Sequence, residues 1–261
     1  MSLTGKTPAD TYKDLLYVDN NNSGADSTVR SVKTGNGSAT GLELSTRHLR
    51  FSPDADTTST LTVRDADDNV KLQVDTTNDQ VKALGHHINT QYATFGISHT
   101  LSNGFVINTH HPIPFSNMAT DDSEDTVGFG TSTDPATSFT TADDPATDAS
   151  NLVPMFWYVP DNISIDSVIG IEGGDNATGD TTRMHLMSYD FTSGSTSCLT
   201  NGTLLAHNSD VTNAGSEQAY SSTFTIDSAS VTSGKVILAF FRSDSINSDY
   251  SVNITVKYHL T

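Results

Sequence analysis

The sequence predicts an all-β protein with an extended N-terminal arm, a shaft of short strands shared among three copies, and a C-terminal antiparallel β-sandwich of jelly-roll type. Three observations carry this prediction. Apolar residues alternate with polar ones at period 2 in many short runs. Gly, Asn, Asp and Ser punctuate those runs as turn formers. Hydrophobic residues make up only 34% of 261 positions, and no long 3.6-residue periodicity occurs, so little helix and a thin core are expected.

Residues 1–24 read as the arm. Gly5 and Pro8 break regular structure, and the apolar cluster Tyr12, Leu15, Leu16, Tyr17 and Val18 ends in the turn-forming run Asp19-Asn20-Asn21-Asn22-Ser23-Gly24. An apolar cluster with no core of its own is expected to dock on another surface. Residues 25–90 read as the shaft. Leu42 and Leu44, Leu49 and Phe51, Leu61 and Val63, then Val70, Leu72 and Val74, then Val81 place apolar side chains on one face of each strand. Hairpin bends are expected at Asp65–Asn69 and Thr76–Asp79. So few apolar residues per strand leave an isolated hairpin marginal in water. Three copies around an axis would bury those faces together, with Leu61, Val63, Val70, Leu72, Val74 and Val81 as the shared core.

Residues 91–261 read as the sandwich head. Its strand candidates are Val153–Val159, the alternating Ile163 and Ile165, the following run Val168–Ile171, Met184–Phe191, Phe224 and Ile226, the continuous apolar run Val236–Phe241, and Val252–Leu260 with its clean alternation. The continuous run is what a strand buried on both faces requires. Residues 116–151 form a long acidic loop in which Asp-Pro-Ala-Thr occurs at 134–137 and again at 144–147. A solvated loop is the expectation there. The polar stretches 116–151, 172–182 and 207–220 are the candidate contact loops of the head.

Charge and motifs narrow the function classes. The net charge is −18, and it is uneven: residues 1–82 hold 12 acidic and 9 basic residues, and residues 83–261 hold 19 acidic and only 4 basic. Such a field opposes binding to nucleic acid or anionic lipid. The start, MSLTGKTPADTYKDLL, lacks the apolar run of a cleaved leader. No stretch approaches the ~20 apolar residues of a spanning helix. Cys198 is the one cysteine, so an intrachain disulfide is excluded. No nucleophile elbow, P-loop, dinucleotide fingerprint or H-E-x-x-H occurs. We therefore expect no enzyme activity and no cofactor. Asp65-Ala66-Asp67-Asp68-Asn69 opens like a calcium loop but has Val70 where the glycine belongs, so a hairpin turn is the better reading. The acidic run Asp121–Asp125 is a second calcium candidate. The histidine pairs His86-His87 and His110-His111 are candidate metal ligands, since one imidazole per chain on a threefold axis supplies three.

The segment from Gly5 to Leu16, the run Asp19–Gly24, and Val74-Asp75-Thr76-Thr77-Asn78-Asp79-Gln80-Val81-Lys82 resemble structural proteins of marine tailed phages. The resemblance covers about the first 90 residues. It implies a virion protein such as a tail fibre, head fibre or related appendage, anchored by its N-terminus. The expected partners are two further copies of itself, other virion proteins (capsid, portal or tail) and a host-surface receptor. The alternatives are a trimeric capsid decoration protein and, third, a polysaccharide-degrading tailspike-like enzyme.

Overall fold

Alternating sequences build strands, and in the computed structural model nearly all regular structure is antiparallel β-sheet. The structure describes residues 13, 15–21, 23–99, 106–116, 127–141, 149–245 and 249–261. Tyr12 and the acidic run Asp121–Asp125 lie outside the described residues. The chain divides into two units, Met1–Ile88 and Asn89–Thr261.

The first unit holds two four-stranded sheets. One joins β1 (Leu16–Val18), β2 (Arg30–Thr34), β3 (Ala39–Leu44) and β4 (Leu49–Phe51) in chain order. The second joins β5 (Leu61–Arg64), β6 (Val70–Asp75), β7 (Gln80–Ala83) and β8 (His86–His87), also in chain order. Both expected hairpin bends occur. Asp65 Oδ1 accepts the backbone N–H groups of Asp67 (3.0 Å) and Asn69 (2.8 Å), and its other oxygen meets Lys71 Nζ at 2.8 Å. This is an Asx-type turn closing β5 onto β6. Asp75 likewise accepts from the Asn78 backbone at 3.0 Å, at the β6–β7 bend. Register places the apolar residues opposite one another: Leu61 against Val74 against Val81, and Val63 against Leu72 against Ala83.

The second unit contains a sandwich. β9 (Thr90–His99), β12 (Ile163–Asp175), β16 (Ala219–Thr223) and β20 (Asp249–Leu260) form one sheet, with β18 (Ser230–Val231) at its margin. β10 (His111–Ile113), β13 (Thr181–Phe191), β14 (Leu199–His207), β17 (Thr225–Ile226) and β19 (Lys235–Ser243) form the other, joined by β11 (Trp157–Tyr158) and β15 (Val211–Thr212). The sheet orders are β16-β12-β20-β9 and β10-β19-β13-β14-β17. Setting aside the short marginal strands, the first, third, sixth and eighth strands share one sheet and the second, fourth, fifth and seventh the other, with first beside eighth and second beside seventh. That is the nested Greek-key order of a jelly roll.

The alternation of β20 decides its faces. Val252, Ile254 and Val256 point inward and are almost fully buried. They meet Phe95 from β9, Val168 from β12, Met184 and Leu186 from β13, and Ile237, Ala239 and Phe241 from β19 in one core between the sheets. The alternate residues of β13 and β19 face the other way, and they too are buried. Met187, Tyr189, Val236, Leu238 and Phe240 pack against Val127, Phe129, Phe139, Leu152 and Met155 in a second core. The described part of the expected solvated loop is thus a third layer. Phe129 stacks on Phe139 at 4.7 Å and tilts onto Phe240 at 4.8 Å. Tyr189 Oη donates to Ala136 O at 2.8 Å, and Gly202 lets the segment approach so closely that a Cβ there would lie 2.7 Å from Thr137 Cα. The polar composition of 116–151 hid these few aromatic anchors.

Candidate functional site

The loops that end the strands at one end of the sandwich converge. Gly179 N donates to Asn213 O at 2.8 Å and Asn213 N to Asp180 O at 2.9 Å, so two of the three polar stretches singled out in the sequence lie together. Their side chains create three polar features: an acidic rim, a buried carboxyl and a pair of arginines.

The acidic rim belongs to the β16-β12-β20-β9 sheet. Asp175 stands directly opposite Asp249, and Glu217 shares a hydrogen bond with Asp175 that raises the Glu217 pKa. The three carboxyls line a cavity of about 380 Å³ with Ser98, Gly173 and Tyr250. Like charges so close favour retention of a proton, which explains the direction of the shift.

Glu172 lies three residues before Asp175 on β12. Its alternation in β12 points it into the sandwich, where it is 1% exposed. Thr182 Oγ1 donates to Oε1 at 2.6 Å, while Oε2 has no partner. Burial, only partly offset by that bond, pushes the carboxyl up to about 7. Nearby, Tyr250 Oη donates to Asp180 Oδ2 at 2.8 Å and is fully buried.

The arginines sit on the opposite sheet. β13 and β19 place Arg183 directly across from Arg242. Arg242 is held by Asn108, its Nε donating to the Asn108 carbonyl and its Nη2 to the side-chain oxygen, both at 3.0 Å. Arg183 Nη1 lies 3.6 Å from Asp210 Oδ1, a loose pair whose aspartate is 58% exposed. The Nε of Arg183 is buried and has no acceptor. A cavity of about 200 Å³ opens between these groups. One residue further along the same face, His185 is fully buried between His110, whose ring centroid is 4.8 Å away, and His207 at 6.3 Å. Burial first, then the neighbouring His110 and Arg183, holds His185 down at about 2, so the ring is neutral.

Of the candidate metal ligands, His86 and His87 pair with β7 in the first unit, while His110 and His111 lie in the second. His111 is used by the fold. Its Nε2 accepts the Val106 N–H at 2.9 Å, so Nδ1 carries the proton and donates to Val127 O at 3.0 Å. That leaves His111 no lone pair for a metal. His110 Nε2 bonds Ser132 O at 2.9 Å, and its other nitrogen is buried without a partner. The arm residues Leu15, Leu16 and Tyr17 are exposed and Val18 is half-buried, with Leu16–Val18 forming β1 at the edge of the first sheet. The shaft residues Leu61, Val70, Leu72, Val74 and Val81 are half-buried and Val63 is 48% exposed. Cys198 is buried, and burial raises its thiol pKa. Sequence reasoning missed Glu172, Arg183, Arg242 and His185. The scarcity of cations in the second unit was the available signal for the two arginines.

Neither a protein-family model nor a curated protein matches this chain.

Proposed function

We propose that this chain is a non-enzymatic virion structural protein of a tailed phage, a homotrimeric appendage anchored by its N-terminal part and presenting the sandwich as a host-adhesion head. One observation carries the self-association. Among the described residues of Met1–Ile88, Val32 is the one buried apolar side chain. The two sheets of this unit have apolar stripes but, among the described residues, no second layer that buries them, and Leu49, Phe51, Val63, Leu84 and Ile88 stand 47–69% exposed. Four-stranded sheets that bury so little apolar area gain little stability in water by themselves. Further copies of the same stripe are the natural cover, because each presents the same apolar register. The resemblance of the first 90 residues to phage structural proteins supports the virion setting. Multivalent display would turn weak contacts of the head loops into firm adhesion.

The head offers a second surface for a like copy. On the outer face of the β16-β12-β20-β9 sheet, Ile169 and Ile171 are about half exposed and Tyr92 is 66% exposed. Their cross-strand neighbours are Thr223, Ser221, Thr255, Asn253 and Lys257, with no carboxylate among them. In a body this acidic, a patch without carboxylates lowers the local repulsion to a like copy, while the acidic rim of Asp175 and Asp249 stands at the far end of the same sheet.

The test is the mass of the full-length protein in solution by light scattering at physiological salt. Three copies of 27.8 kDa are expected. A stable, folded monomer would overturn the trimer. Location on an intact particle by electron microscopy separates an appendage from a capsid decoration protein.

A further inference from the structure

We infer that the Arg183–Arg242 cleft is a binding site for the carboxylate or sulfate group of an acidic saccharide. The inference rests on the adhesion reading for its ligand source and on the cleft's own geometry for its chemistry.

Two of the four cations in residues 83–261 stand opposite each other on adjacent strands. Directly opposed like charges destabilise a sheet, so the arrangement costs stability unless something bridges it. The protein supplies little that does. Arg242 has no ion pair among the described residues, and Arg183 has only the loose contact at 3.6 Å with Asp210. Asp244 also lines the cleft and its Oδ1 accepts the Thr181 N–H at 2.7 Å, but among the described residues it forms no ion pair with either arginine. Arg242 is nevertheless held in place by its two bonds to Asn108. The buried Nε of Arg183 is a donor still lacking an acceptor. An oxyanion seated between the two guanidinium groups, a planar carboxylate or a tetrahedral sulfate, would accept from both through two of its oxygens. The cleft, about 200 Å³, is smaller than a drug-sized pocket and fits one charged group with part of its ring. Asp210 would be the group that such an anion displaces.

The experiment titrates full-length protein at constant ionic strength, followed by NMR shift changes or calorimetry. The probes are glucuronic acid, glucose 6-sulfate, uncharged glucose and sodium sulfate. Both acidic sugars are expected to bind and glucose is not. Arg242→Gln should weaken the acidic sugars roughly tenfold, the loss of one charge-assisted contact. Asp210→Asn, a change at an exposed position, should tighten them several-fold by removing the competitor. That gain cannot come from a misfolded variant. Binding of sodium sulfate alone would reduce the cleft to a free-anion site and overturn the saccharide assignment. No response to any charged probe, or an affinity indifferent to Asp210→Asn, would overturn the site itself. A trimer that binds none of the probes loses this inference and keeps the fibre reading. A monomer that binds them does the reverse.

Discussion

Glu172 shows how one side chain can set a pH response. Its carboxyl, 1% exposed, titrates near 7 when folded against 4.5 as the free group. The folded state therefore holds the proton more tightly than the unfolded chain. Below pH 4.5 both states are protonated and the full benefit is present. As pH rises through 7 the folded state must bury a charge, and stability falls by about 3 kcal/mol. Lowered carboxylates such as Asp190, held down by Lys235, act in the opposite sense at lower pH. A Glu172→Gln variant isolates the effect, because the amide mimics the protonated acid. Its melting temperature should match wild type near pH 5 and exceed it at pH 8. Parallel pH profiles for the two proteins would refute the assignment.

At the scale of elements, β19 is decided by what covers it. Its run Val236–Phe241 is buried on both faces, by the facing sheet on one side and by the 127–141 segment on the other. Truncating Phe240→Ala removes a ring packed on Phe129 and Tyr189, and should cost about 3–5 kcal/mol by chemical denaturation. The strands of the first unit are the contrast. The cross-strand pairs Leu61–Val74 and Val74–Val81 are formed, yet their faces stay half open. Those residues hold the register of a sheet that, among the described residues, has no second layer.

For the whole molecule, charge and burial divide the labour between units. Met1–Ile88 is nearly neutral and laced with exposed ion pairs such as Arg30–Asp26 and Lys33–Asp19, worth little individually. The second unit carries most of the net −18 and nearly all of the buried apolar side chains. Self-association of such a body works against its own repulsion and should strengthen with salt over the range where screening shortens to about 8 Å. The double variant Ile169→Asp/Ile171→Asp adds carboxylates to an apolar patch whose directly paired residues carry none. It should weaken the trimer several-fold in sedimentation equilibrium while leaving the circular dichroism of the sandwich unchanged. An unaltered association constant would remove that face from the interface.

Strand existence was legible in the sequence because period-2 alternation is a local property: β20 and the hairpin at Asp65–Asn69 can each be read from a dozen residues. The doubly buried character of Val236–Phe241 was legible too, since only full burial tolerates such a run. What covers its second face was not, because Phe129 and Phe139 are scattered through a polar segment far away in the chain. The same limit hid the arginine cleft. Arg183 and Arg242 become neighbours through the register of β13 on β19, and the sheet in which a strand pairs is set by long-range packing. Residue pattern fixes the faces of each strand, and tertiary structure chooses the partners those faces meet.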